Sequence, residues 1–210
     1  MAEAQLILAS GSPQRRRLLA EAGYRFEIVP PREEVECGIC STGGPAALVT
    51  ELAVSKAFDV AAQLRARGEP AGGPRRVILA CDTVAECGGL VLGKPADEAH
   101  ARSMITRLRG TVHRVYSGIC VWQLDGAGET VQPEVRLATS ELRMDPIGDD
   151  AVEEYLASGL WQAKAGALGY QDRAGWLHLV QGEESNVIGL PMSLAIEMLA
   201  ACGIAPSAAG

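Results

Sequence analysis

A short apolar strand running straight into a capped helix opens this chain, and the same alternation continues along it. Gln5-Leu6-Ile7-Leu8-Ala9 reads as a buried strand, Ser12 stands where an N-cap belongs, and Pro13 where the first helical residue belongs. Leu18, Leu19 and Ala22, closing on Gly23, complete a short helix. Strand patterns follow at 26–29, 77–81, 90–92, 112–122, 131–142 and 177–180. Helical patterns fall between them at 46–67, 97–108, 149–157 and 192–202. Interleaving of this kind excludes all-α and all-β folds. Gly88-Gly89 before Leu90 predicts a hairpin, so the sheet is mixed and not purely parallel. The expected fold is α/β, a twisted mixed sheet with flanking helices. A single domain is expected over 1–203, with a small-residue tail at 204–210 that frays.

The first helix carries Arg15, Arg16 and Arg17 just inside its N-terminus, where the helix dipole disfavours cations. The placement is reasonable where an anion sits at that end, held by backbone N–H groups, serine hydroxyls and a guanidinium. A net charge of −7 argues against general binding to nucleic acid or a membrane surface, so any anionic ligand must meet a local cationic cluster. No apolar run approaches the length of a membrane span and no signal-peptide pattern is present, which makes a cytoplasmic location the default expectation. The six cysteines, at 37, 40, 81, 87, 120 and 202, read as reduced thiols. Cys37-Gly38-Ile39-Cys40 is a single CxxC with no second ligand pair at zinc spacing.

Four further positions carry possible chemistry. Asp82 ends the apolar run 77–81, and ligands in α/β sheets gather beyond strand C-termini; a capping aspartate is the plainer alternative. Lys56 falls in the series Leu52, Lys56, Val60, Leu64 on an inward face, where a lysine commonly snorkels to solvent but can also serve as a phosphate-binding ammonium. Residues 88–95 nearly spell a P-loop, yet Pro95 stands where the metal-binding hydroxyl is required, leaving Lys94 as a candidate phosphate ligand. Lys164 sits in the small-residue loop 163–171, which lets backbone approach a ligand closely. Several cationic groups plus carboxylates suit a polyphosphate better than a sugar or a peptide, since phosphate chemistry mainly needs charge neutralisation and positioning.

The stretches LILASGSPQRRRLL (6–19), ELAVSKA (51–57), ILACDTVAECGGLVLGKPADEAHARSMITRLRG (78–110), HRVYSGICV (113–121), KAGALGYQ (164–171) and SNVIGLP (185–191) together resemble the Maf-like nucleoside triphosphate pyrophosphatases. The resemblance implies an elongated two-lobed fold with a central cleft. It also implies hydrolysis of a nucleoside triphosphate to the monophosphate and pyrophosphate, a divalent cation (Mg²⁺ or Mn²⁺), and a homodimer. Carried over by position, Asp82 is the proton acceptor that activates water. Ser10, Ser12 and Arg15 form the phosphate-binding opening, Lys56, Lys94 and Lys164 match the family's lysines, and Gln171 bears on base selection. On the metal side the resemblance draws on Asp82 and on the acidic stretch 33–36, with Glu34 and Glu36 as the candidates. The pattern K-A-G-x-x-G-x-Q at 164–171 resembles the subfamily preferring dTTP and UTP. Two departures stand out: Gln14 replaces the arginine that usually follows the SxSP proline, and Trp161 occupies a stretch that is usually acidic, adding an aromatic face that can stack on a base or pack. The competing reading is a non-catalytic nucleotide-binding regulator of cell division.

Overall fold

The computed structural model describes residues 4–36, 43–67, 75–124, 132–172 and 175–207. It contains strands β1 (Gln5–Ala9), β2 (Glu27–Ile28), β3 (Arg76–Cys87), β4 (Leu90–Leu92), β5 (Val112–Leu124), β6 (Glu134–Met144) and β7 (Leu177–Gln181). The helices are α1 (Pro13–Glu21), α2 (Gly44–Ala66), α3 (Glu98–Leu108), α4 (Asp149–Ala157), α5 (Glu184–Ile188) and α6 (Met192–Ala201), with short 3-10 turns at Glu33–Glu36 and Ala165–Ala167. One seven-stranded sheet runs in the order β2-β1-β3-β5-β6-β7, with β4 paired to β3. β1 is parallel to β2 and β3, and every other pairing is antiparallel, so the mixed α/β expectation holds.

Three apolar clusters organise the layers. α1 and α6 cover one face of the sheet near β1 and β3, through Leu19, Met198 and Leu199 against Leu6, Leu79 and Val121. α2 covers the opposite face, through Ala53, Ala57, Val60 and Leu64 against Ile7, Ile78 and Trp122. The third cluster packs α3 and α4 against the far ends of β3, β5 and β6. Ile204 is buried and the Ser207 N–H donates to the Gly23 carbonyl, so residues 204–207 lie against the body. Residues 208–210 and the Cys37–Cys40 pair lie outside the described residues; Cys81, Cys87, Cys120 and Cys202 are free and buried. No helix among the described residues is long and apolar enough to cross a membrane.

Two elements differ from the sequence expectation. β3 does not stop at Asp82 but continues to Cys87, because β5 pairs with it as far as Glu86. β1 ends opposite Ala80 and β4 ends opposite Ala85, so residues 81–84 have β5 on one side and no strand on the other. The functional cleft opens at that gap. The turn into β4 is as expected, with Gly88 and Gly89 at φ 60° and 82°, the backbone a tight hairpin requires. The short helix α5 has no periodic signature in five residues, and the start of the strand expected at Val131 falls outside the described residues.

Candidate active site

The cleft is a cavity of about 570 Å³ whose lining includes Ser10, Ser12, Arg15, Lys56, Asp82, Lys94, Lys164 and Gln171, so eight sequence candidates converge on one place. Local capping sets the first group. The Ser12 Oγ accepts from the Arg15 N–H at 3.4 Å as an N-cap, and the Ser12 N–H donates to Ser10 Oγ at 3.2 Å. Of the three arginines, only Arg15 turns into the cleft; Arg16 and Arg17 are exposed. Its guanidinium donates from Nε to the Gly189 carbonyl at 2.8 Å, from Nη1 to Ser10 Oγ at 3.3 Å and from Nη2 to Thr83 Oγ1 at 3.2 Å. Thr83 Oγ1 lies 2.8 Å from Ser117 Oγ, which is fully buried. Three segments distant in sequence therefore hold one cation in a fixed orientation.

Lys56 does not snorkel. Its Nζ donates to Asp82 Oδ1 at 2.7 Å, with the two side chains 5% and 13% exposed. Gly118, directly opposite Asp82 on β5, makes this possible: a Cβ there would stand 2.2 Å from the Val49 carbonyl oxygen, so only glycine lets α2 come this close to the sheet. Cys81, beside Asp82, gives its S–H to the Gly189 carbonyl, and burial pushes its thiol up, which leaves it inert as a nucleophile.

Lys164 belongs to a strained loop. Ala163, Gly166 and Ala167 have φ of 60°, 69° and 60°, and for alanine that region is costly unless surrounding contacts enforce it. One of those contacts is the Gly166 N–H donating to the Gly93 carbonyl at 3.0 Å, which ties this loop to the segment bearing Lys94. Asp172 completes the loop: its Oδ2 accepts from the Lys164 ammonium, from Tyr155 Oη at 2.7 Å and from the Gly169 N–H at 3.1 Å. Gln171 lies at the exposed mouth, its Oε1 taken by Arg17 Nη2. Trp161 packs and does not line the cavity, donating its ring N–H to the Leu156 carbonyl at 3.0 Å.

The acidic stretch 33–36 forms a 3-10 turn in which Glu34 is exposed and is not part of the cavity lining; the side chain of Glu36 lies outside the described residues. Thr83, Ser117, Asp172 and His113 are lining or supporting residues to which the sequence assigned no role. For Thr83 and Ser117 the signal was their alternation onto one sheet face. For Asp172 it was an acidic residue directly after a loop of small ones. His113 is 5% exposed, and burial pushes its imidazole down to about 4, against the opposing effects of a backbone hydrogen bond to Thr111 and the charge of Glu86.

Fold and cleft together define an α/β protein built to hold a small polyanion beside a lysine-paired carboxylate. The chain belongs to the family described as Maf-like protein, matched over residues 5–202. It is similar to the dTTP/UTP pyrophosphatase of Rhodopirellula baltica, at 41% identity over 92% of this chain and 80% of that protein. It is likewise similar to those of Burkholderia lata, at 37% over 95% and 94%, and Moorella thermoacetica, at 38% over 95% and 96%.

Proposed function

We propose that this protein is a nucleoside triphosphate pyrophosphatase acting on dTTP and UTP, cleaving between the α- and β-phosphates to give the monophosphate and pyrophosphate. The observation that carries the reading is the Lys56–Asp82 pair, a carboxylate fixed by a nearly buried lysine in the same cavity as Arg15, Lys94 and Lys164. Lys56 holds Oδ1, so Asp82 is oriented and its second oxygen is the one to take a proton from the attacking water. Water oxygen bonds to the α-phosphorus, the bridging bond breaks, and pyrophosphate departs with its charge met by the arginine and lysines. The names of the relatives and the shared K-A-G-x-x-G-x-Q pattern, with Gln171 at the mouth, support the choice of dTTP and UTP.

Charge balance supports a divalent cation. The lining holds four cations (Arg15, Lys56, Lys94, Lys164) and two carboxylates (Asp82, Asp172), a net charge of +2 with His113 neutral. A triphosphate carries about four negative charges, so about two remain to be met. Among the described residues no three His, Cys, Asp or Glu side chains gather into a metal cage. The lining therefore fits an ion such as Mg²⁺ that keeps mostly water and phosphate ligands, with Asp82 as its protein ligand. Such an ion would supply charge neutralisation at the leaving pyrophosphate.

The test is a panel of nucleoside triphosphates with Mg²⁺ or Mn²⁺, assayed separately for pyrophosphate and orthophosphate, on the wild type and on Asp82→Asn. Expected are pyrophosphate and monophosphate, fastest with dTTP and UTP, and a loss of about 10²–10⁴ in rate in a variant that still folds but melts lower, because the nearly buried Lys56 loses its charged partner. Orthophosphate as the first product, or full activity of the variant, would refute the reading. Nucleotide binding without turnover would support a regulator.

A further inference from the structure

The mechanism uses the cations and Asp82 of the cleft; it does not use His113, which also lines the cavity. It stands on β5 four residues before Ser117, and residues 113, 115 and 117 share one face of the strand. Ser117 is joined through Thr83 to the Arg15 clamp. At a strand rise of about 3.4 Å per residue, His113 therefore sits roughly 14 Å along β5 from Ser117. The wall has changed character there: Leu142 is its partner across the β5–β6 ladder, and Leu108, Val115 and Leu177 line the cavity as part of the same apolar cluster. In these surroundings the imidazole is 5% exposed; the ring has a hydrogen bond to the Thr111 backbone, while its Nδ1 is buried with no partner in the protein. A buried polar atom left unpaired in a native structure costs stability unless something outside the chain pairs it.

We propose that His113 is a recognition residue for the nucleobase, hydrogen-bonding the edge of the base at the apolar end of the cleft. This rests on the reading of the cleft as a nucleoside triphosphate site and adds to it a group that reads the base. An uncharged imidazole that gives its N–H to the Thr111 backbone keeps one acceptor nitrogen, which matches the N–H along a pyrimidine edge and not a phosphate oxygen.

Two experiments decide it. In wild-type protein labelled with ¹⁵N-histidine, UMP should move the His113 ring resonances while tripolyphosphate leaves them in place. His100 and His178, which do not line the cavity, are internal controls. Resonances unmoved by UMP, or moved equally by tripolyphosphate, overturn the proposal. In the second experiment, His113→Phe should raise KM for UTP about tenfold, as the loss of one hydrogen bond does, with kcat and the inhibition constant of tripolyphosphate within about twofold. His113→Gln, which keeps a donor and an acceptor, should recover part of the loss. An unchanged KM, or a KM and a tripolyphosphate constant that rise together, overturns the proposal. Should the phenylalanine variant not fold, the wild-type spectra decide alone. Failure of the wild type to release pyrophosphate from UTP would count against the activity, while the UMP response still tests the base contact separately.

Discussion

Replacing Gly118 by alanine tests the geometry that brings Lys56 to Asp82. The added Cβ would lie 2.2 Å from the Val49 carbonyl oxygen, 2.4 Å from its carbonyl carbon and 2.6 Å from the Thr50 nitrogen, where real contacts essentially never fall under 3.0 Å. All three atoms are backbone of α2, so no rotamer change relieves the clash and the helix must lift by about 1 Å. Val49 and Lys56 are two helical turns apart and both buried, so the lift carries the lysine with it. A bond of 2.7 Å becomes one near 3.5 Å, outside useful hydrogen-bond range. Overpacking of this kind costs about 1–3 kcal/mol, which for a chain of this size lowers the melting temperature by roughly 2–12 °C. Because a displacement of about 1 Å can cost about 10²-fold in rate, pyrophosphate release from UTP should fall by that order. The assay is run well below the variant's own melting temperature, so that lost activity reflects geometry and not unfolding. A variant that melts within a degree of wild type and turns over normally would refute the argument that Gly118 sets the approach of α2.

Two further outcomes follow from the cleft and its wall. Asp172→Ala leaves the Lys164 ammonium, the Tyr155 hydroxyl and the Gly169 N–H without their shared acceptor; urea denaturation should show a loss of about 2 kcal/mol, and KM for UTP should rise as the 163–171 loop loosens. Stability should also depend on pH through His113, whose folded-state value is depressed from 6.5 to about 4. Above 6.5 the ring is neutral in both states and its contribution is intact. As pH falls from 6.5 to 4 the unfolded chain takes up the proton first, so stability is lost across that window, by at most about 3 kcal/mol at 1.36 kcal/mol per unit. Burial raises Asp59, but hydrogen bonds from the Arg32 backbone and side chain outweigh it and hold the carboxyl low, so its loss comes below that window. Denaturation at pH 7 and pH 4.5 for wild type and His113→Phe checks this, and the variant should show the flatter dependence.

What could be read from the sequence divides by the distance over which the cause acts. The Ser12 cap, Pro13 at the helix start, the Gly88-Gly89 hairpin and the alternation of strands with helices depend on neighbours within a turn, and all are present in the structure. So is the convergence of Ser10, Arg15, Lys94, Lys164 and Gln171, which lie near element ends or in loops beside the cleft, and of Lys56 and Asp82, which meet from the middle of α2 and β3. Choosing among Arg15, Arg16 and Arg17 was a different matter: the partner that selects Arg15 is the Gly189 carbonyl, 174 residues away. The same holds for Lys56, whose stripe alone favours snorkelling; a carboxylate 26 residues on, and a glycine opposite it that admits the helix, reverse the outcome. β3 continues past Asp82 for a reason equally remote, the length of its antiparallel partner β5. Asp172 and His113 show the other limit. A carboxylate with three donors and an imidazole with an unpaired nitrogen are defined by what surrounds them, and nothing in a run of residue types distinguishes them from a surface aspartate and a core histidine. In this chain the carboxylate we assign to water activation could therefore be found from the sequence. The groups that aim it, and the one we assign to the base, required the tertiary contacts.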